Sequence, residues 1–326
     1  MTQQSNKNFA IPLAFVGLMF FTLGFALGIN SFLIPVLKGS LNLSSGVAYL
    51  LLAATFIPFI LFGYPASRTI AAIGYKRTMA VSFVIFALAF VVFVLSAKNE
   101  SFILFLVASF VSGTANAYLQ ASVNPYITIL GPIDSAARRI SMMGICNKLA
   151  CPVAPLFFAA VVPDSTNVQI ADLYLPFYII IGVFVVLSIV SLLAPLPEVK
   201  ATGEDEGSAD DCPYAAGKTS IWQFPHLLLG VLALFVYVGV ETLALSTAID
   251  YATAVGLPSP DRYAWIPSIG MVVGYICGIV LIPKYLSQDG AMRICASLGV
   301  VGSLLIVLLP AQISIWAIFL MALGCS

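Results

Sequence analysis

The sequence predicts an all-α, polytopic membrane protein, and three observations carry that prediction. Of its 326 residues, 61% are hydrophobic and only 9% charged, with a mean hydropathy of +1.05. Apolar runs long enough to cross a bilayer as a helix, about twenty residues, recur along the whole chain. The only sizeable polar stretch is 197–223, where Pro197-Glu198-Val199-Lys200 leads into Glu204-Asp205-Glu206 and Asp210-Asp211. Repeated apolar stretches of this length exclude a soluble domain.

The spans follow in order, each bounded by charge or by a turn. The first covers 9–37 and stops at Lys38; the second covers 47–72 and stops before Lys76-Arg77. The third, 78–96, runs from that basic pair to Lys98, and the fourth covers 101–130. The fifth, 140–162, starts after Arg138-Arg139, and the sixth, 173–195, meets the polar linker. Beyond the linker come 225–256, 264–283 and 293–313, separated by Arg262, Lys284 and Arg293. A tenth begins at Ser314, and Ile315 to Gly324 make half a span with no polar flank. That pattern predicts a bundle at 1–196, a cytoplasmic linker at 197–223 and a second bundle at 224–326. The second bundle is expected to be incomplete, cut within helix 10 and about two and a half helices short of two parallel six-helix halves.

Basic residues set the orientation. With the amino terminus in the cytoplasm, inner segments carry Lys7, Arg68, Lys76, Arg77, Arg138, Arg139, Lys200, Lys218, Lys284 and Arg293, and outer loops carry Lys38, Lys98 and Arg262. Ten against three is a positive-inside bias. The first apolar run is too long for a signal-peptide core. Cys146, Cys151, Cys277, Cys295 and Cys325 lie in spans and Cys212 in the linker, with no metal-site or disulfide spacing, so they read as small packing residues. Gly24-x-x-x-Gly28 and the series Gly270, Gly274, Gly278 put glycine on one helix face, where neighbouring helices can approach closely.

Lys148, Glu241 and Asp250 are the only charged side chains well inside the apolar runs. A charge near mid-membrane costs a few kcal/mol or more, about 3 on insertion scales, and persists by facing water or a partner. Lys148 sits about 12 Å deep at 1.5 Å per residue, beyond easy reach of the headgroups. Glu241 lies past the midplane and fits a protonatable switch, since desolvation raises a carboxyl toward neutrality. Asp250, half a turn away around the same helix, is equally readable as an interfacial residue.

The fourth span carries Ser112, Asn116, Gln120 and Asn124, a polar stripe with a four-residue period. Each amide offers donors and acceptors that suit sugar hydroxyls. For Ser112 and Asn116 interhelical glue is an equal alternative; for Gln120 and Asn124 the substrate reading is preferred. Asn30 and Ser31 on the first span and Asn147 on the fifth repeat the theme. His226, the sole histidine, sits at a span boundary. No His-Glu-x-x-His, Gly-x-Ser-x-Gly, phosphate loop or Cys/His cluster occurs, so nothing invites an enzymatic reading.

Several of these residues belong to a recognisable pattern. Gln120-Ala121-Ser122-Val123-Asn124-Pro125-Tyr126, continuing to Leu130-Gly131-Pro132, resembles the Glu-Thr-Ala-Ala-Asn-Pro-Tyr…Leu-Gly-Pro signature of the fucose:proton symporter family. Asn30-Ser31-Phe32-Leu33-Ile34-Pro35 resembles its first-helix Asn-Asp-x-Leu-[Ile/Leu]-Pro motif, and Tyr237-Val238-Gly239 its seventh-helix segment. That family lies in the major facilitator superfamily and includes glucose/galactose transporters. The resemblance spans essentially the whole chain and implies the major facilitator fold, with alternating access to a midplane sugar site between two halves.

The departures are specific. The family's two membrane acids fall on Ser31 and Gln120, neither of which takes up a proton. The superfamily's loop motif survives loosely as Gly63…Arg68…Gly74-Tyr75-Lys76-Arg77, with Ser67 in place of its usual acid. The expectation is uptake of a neutral monosaccharide, hexose before fucose, with Asn30, Ser31, Gln120, Asn124 and Asn147 as substrate contacts. Glu241 is expected to be the relocated titrating site, with Lys148 as a possible counter-charge and Asp250 as a further coupling candidate. No cofactor is expected beyond a coupling ion, H⁺ or Na⁺. The partners are the sugar and the lipid of a bacterial inner membrane, with no nucleic acid and a monomeric state. Uncoupled facilitation and a non-transporting sugar sensor are the alternatives.

Overall fold

A computed structural model describes residues 10–130, 135–162, 168–194, 196, 220–246, 248, 251–252, 255–258, 263, 265–282 and 284–325. Among the described residues the regular structure is helical: α1 (Ala10–Ser40), the single turn α2 (Ser45–Ala48), α3 (Leu50–Lys98), α4 (Phe102–Ile129), α5 (Ala136–Val161), α6 (Tyr174–Leu193), α7 (Pro225–Ser246), α8 (Trp265–Leu281), α9 (Gln288–Leu308) and α10 (Ala311–Gly324). Seven of the described helices are long and apolar enough to cross a membrane, and α8 and α10 are shorter apolar helices. The chain divides into two compact units, residues 1–131 with 146–199 and residues 132–145 with 200–326. The linker expected at 197–223 lies outside the described residues up to 219; after Ser220 it ends in a short 3-10 turn, Ile221–Gln223.

One boundary agrees with the hydropathy reading and one differs. The second and third spans are the two helical stretches of α3, separated by a kink at Gly74 (φ 82°, ψ 169°), which falls in the gap between 72 and 78 that the hydropathy reading left. The tenth helix starts at Ala311 and not at Ser314, since Pro310 caps it; proline cannot continue α9 but fixes the φ that a new helix needs.

In the first unit, α3 packs most extensively on α4 and α6. Its second span is two-faced: Phe83, Phe86, Phe90 and Phe93 are buried, while Val81, Val84, Leu88, Val91 and Leu95 are exposed. The buried rings mesh with Phe184 and Phe177 of α6; Phe86 and Phe184 stack at 4.7 Å and Phe90 meets Phe177 edge-on at 5.7 Å. Lipid is as apolar as these rings, so shape-matched dispersion holds the helices together more than expulsion from water does. Ser188 adds a cross-helix bond, donating to the Ala80 carbonyl at 3.0 Å.

Glycines bring α1 onto α5. A methyl group built on Gly24 would lie 1.9 Å from the Asn147 carbonyl oxygen, and one on Gly28 would lie 2.3 Å from that of Cys151. The small-residue face predicted for close approach is thus used inside one bundle.

In the second unit, α10 is the hub, packed on α8 and α9. Methyl groups on Gly270, Gly302 and Gly324 would lie 2.6, 2.8 and 2.7 Å from Phe319, Met321 and Cys295 backbone atoms. Ala248, Ala252, Leu257, Ile266, Ile315 and Ile318 form a small core. It is flanked by the Trp265–Trp316 edge contact at 5.9 Å and the 2.6 Å bond between the Tyr251 and Ser314 hydroxyls. Ser287 caps α9 through its hydroxyl, which accepts from the Gly290 N–H at 3.2 Å.

Candidate functional site

Asn30 lies on α1, 3% exposed. Its Nδ2 donates to Thr55 Oγ1 at 2.9 Å, and Thr55 Oγ1 donates to the Leu51 carbonyl at 2.9 Å. The backbone at Thr55 is in turn covered by α4, where a methyl group on Gly113 would lie 2.1 Å from the Thr55 carbonyl oxygen. Three helices meet at this point.

Asn147 is half-buried on α5 and donates from Nδ2 to the Phe20 carbonyl of α1 at 3.1 Å. The structure does not bring Asn30 and Asn147 together. Phe20 and Asn30 are ten residues apart on α1, roughly 15 Å of helical rise. Gln120 follows Gly113 by seven residues, roughly 10 Å along α4. Counting crossings, α4 runs antiparallel to α1, so Gln120 falls near the depth of Gly24 and Asn147. The candidate polar residues of this unit therefore form two tiers: Asn30 with Thr55 in one, Gln120 and Asn147 in the other.

The α4 stripe is uneven in its surroundings. Ser112 and Asn116 are buried, Gln120 is half-buried and Asn124 is exposed. Among the described residues Asn116 reaches only its own helix, with Nδ2 3.4 Å from the Ser112 carbonyl, and its buried Oδ1 meets no hydrogen-bond partner there, as is also true of Ser109 Oγ. Ser31 occupies α1, and its side chain lies outside the described residues.

Lys148 is half-buried on α5. In the second unit, Glu241 is half-buried on α7. Tyr237 precedes it by one turn, and the Tyr237 hydroxyl donates to the Cys325 carbonyl at the end of α10. Asp250 lies outside the described residues. Of the aromatic residues that could stack on a sugar, Tyr126 is core, 1% exposed, and Trp265 is engaged with Trp316. A cavity of about 510 Å³ lies in this unit among Tyr237, Tyr275, Ser141, Gln288, Met292 and Cys295, and the predicted amides are not among its lining residues.

The sequence reading overlooked Thr55 and Ser109. The signal for Thr55 was its place as the lone polar residue of Leu50-Leu51-Leu52-Ala53-Ala54-Thr55-Phe56-Ile57. A single hydroxyl in such a run cannot be told from the many that bond their own helix until a partner is seen.

Comparison with known proteins gives this arrangement its context. The chain is 30% identical over 332 residues to a glucose/galactose transporter of Brucella abortus biovar 1 (strain 9-941), a match covering 98% of this chain and 78% of that protein. It is 22% identical over 267 residues to an L-fucose-proton symporter of Escherichia coli (strain K12), covering 76% of this chain and 60% of that one. Among solved structures it superposes on the transporter FucP in the outward conformation with a TM-score of 0.80 at 20% identity, covering 98% of this chain and 82% of that one. On the proton:xylose symporter XylE bound to 6-bromo-6-deoxy-D-glucose the TM-score is 0.61 at 14% identity, covering 96% and 78%. These similar proteins are transporters and not enzymes. Residues 16–326 match the model of the Major Facilitator Superfamily, and the chain belongs to that superfamily.

Proposed function

We propose that the chain is a secondary transporter that moves a neutral monosaccharide across a bacterial plasma membrane by alternating access, with hexose preferred over fucose. The observation that carries this reading is the chemistry of the intramembrane candidates. Asn30, Gln120, Asn124 and Asn147, with Ser31, are all uncharged groups that both donate and accept hydrogen bonds. A polyhydroxylated, uncharged substrate matches them, whereas an ionic one would lack a counter-charge. The 30% identity to a glucose/galactose transporter supports hexose within that class. The organisation proposed is a bundle at 1–196, a linker at 197–223 and a second bundle at 224–326, with the amino terminus inside.

Coupling to a cation is the finer part of the proposal. Similarity to proton symporters supports H⁺. Glu241 is the proposed titrating group, with Lys148 and Asp250 as secondary candidates. A second reading, uncoupled facilitation, draws on Ser31 and Gln120, which stand where the resembling family carries acids. One experiment separates these readings: uptake of labelled glucose, galactose and fucose by the intact protein in sealed vesicles, with imposed proton or sodium gradients. Saturable hexose uptake that accumulates under one gradient supports a symporter. Equilibration without accumulation supports a facilitator. Binding without uptake identifies a sensor, and failure to bind any sugar overturns the proposal.

A further inference from the structure

We infer that Thr55 is a positioning residue for sugar recognition, which fixes the direction in which the Asn30 amide presents its acceptor. The inference rests on the proposal that Asn30 contacts the sugar and names a residue outside that proposed set. A primary amide is nearly symmetric in shape but reverses its donor and acceptor ends when flipped. Inside a membrane nothing but a partner decides which end points where. Thr55 supplies that decision. Its hydroxyl has one proton, and this goes to the Leu51 carbonyl at 2.9 Å. What remains on Oγ1 is lone-pair density, so the oxygen can only accept. Asn30 must then turn its NH₂ toward Thr55, as it does at 2.9 Å, and its Oδ1 is directed away as the acceptor for a hydroxyl donor.

Two further features hold the arrangement. Thr55 is fully buried, and its branched side chain has few rotamers to choose from. Gly113 lets the α4 backbone lie directly on the Thr55 carbonyl, where any side chain would stand 2.1 Å away. The hydroxyl is therefore set by its own helix, clamped from α4, and read by α1. Replacing it with a methyl group keeps the shape and removes the instruction.

The test compares T55V, T55S, N30A and the double variant T55V/N30A in hexose uptake, with folding followed by thermal unfolding in detergent. T55V, an isostere, should raise KM about tenfold, the scale of one misdirected hydrogen bond, while the maximal rate at saturating sugar stays within about twofold. T55S should restore wild-type KM. N30A should show at least the loss of T55V, and the double variant no more than N30A, because Thr55 acts only through Asn30. Additive losses, or a T55V variant with wild-type KM beside a defective N30A, overturn the positioning role and leave the sugar reading standing. An N30A variant with wild-type KM removes Asn30 from the sugar site and the role of Thr55 with it. A T55V variant that loses rate and thermal stability without any change in KM shows a packing residue and also overturns the inference.

Discussion

Replacing Gly24 with alanine tests whether α1 and α5 owe their contact to a missing side chain. The added methyl carbon would stand 1.9 Å from the Asn147 carbonyl oxygen, 2.8 Å from its carbon and 3.1 Å from Ala150 Cβ. A relaxed carbon–oxygen contact needs about 3.3 Å, so the two helices must part by roughly 1.4 Å. The neighbour is backbone, which has no rotamer to escape into. The same displacement breaks the Asn147 Nδ2 to Phe20 carbonyl bond, which starts at 3.1 Å and would end well outside bonding range. Overpacking of this kind costs about 1–3 kcal/mol and the lost hydrogen bond about 1 kcal/mol. Alanine returns up to about 1 kcal/mol through helix propensity, leaving a net loss of roughly 1–3 kcal/mol. Gly182→Ala on α6 is the matched control, because a methyl group there meets nothing within 4 Å. It should be neutral or stabilising by up to about 1 kcal/mol. Denaturant unfolding of both variants in the same detergent should therefore separate them by about 2–4 kcal/mol. If they unfold together, the close approach of α1 to α5 is not what holds that interface.

Gly74→Ala should destabilise by about 1–3 kcal/mol in the same assay, since φ 82° with ψ 169° is a conformation almost confined to glycine. Phe184→Ala removes a ring 2% exposed and stacked on Phe86 at 4.7 Å. Because lipid is as apolar as the core, only packing is lost, so unfolding in detergent should show about 1–2 kcal/mol in place of the 3–5 typical of water-soluble cores; a loss above about 4 kcal/mol would mean that water reaches this cluster in the unfolded state. Glu241→Gln should abolish accumulation of sugar against its gradient while leaving sugar–sugar exchange intact, as counterflow in vesicles would register. Undiminished accumulation would show that the proton is handled elsewhere.

The fold was largely legible because the bilayer leaves few options. Run length and flanking charge located every crossing up to α6 within a few residues, and the glycine periods marked the face where α1 meets α5 and, at Gly270, the one where α8 meets α10. The break that hydropathy and the Lys76-Arg77 pair marked between the second and third spans is made at Gly74, whose φ and ψ leave the helical region. Hydropathy could not place the start of α10 just after Pro310, where the apolar run continues across the boundary. The candidate site was legible as a set of residue types and not as a constellation. A four-residue period aligned Ser112, Asn116, Gln120 and Asn124 on one face, but burial falls steadily from Asn116 to Asn124 along it. Spacing reports direction around a helix and says nothing of what stands opposite.

What stands opposite divides the polar residues by chemistry. Hydroxyls in these helices mostly bond their own backbone four residues back: Thr22 to Leu18, Thr69 to Pro65, Thr78 to Gly74, Ser96 to Val92 and Thr114 to Phe110, all within 2.7–3.0 Å. One donor satisfied locally leaves a hydroxyl nearly neutral toward its surroundings, which is why serine and threonine are poor guides to a membrane site. A carboxamide has two N–H donors and an acceptor, more than its own turn can satisfy. It must reach across, as Asn30 does to Thr55 and Asn147 to Phe20, or leave an atom unmatched, as Asn116 leaves Oδ1. Gln120 and Asn124 make no hydrogen bond to other described residues, so in a membrane their remaining outlet is water or a ligand. Amide ends that are bonded hold the bundle in register, and ends left over carry the capacity for a substrate. We propose on that basis that sugar recognition turns on Gln120, at the depth of Asn147 and unbonded among the described residues, with Asn30 oriented from the tier above.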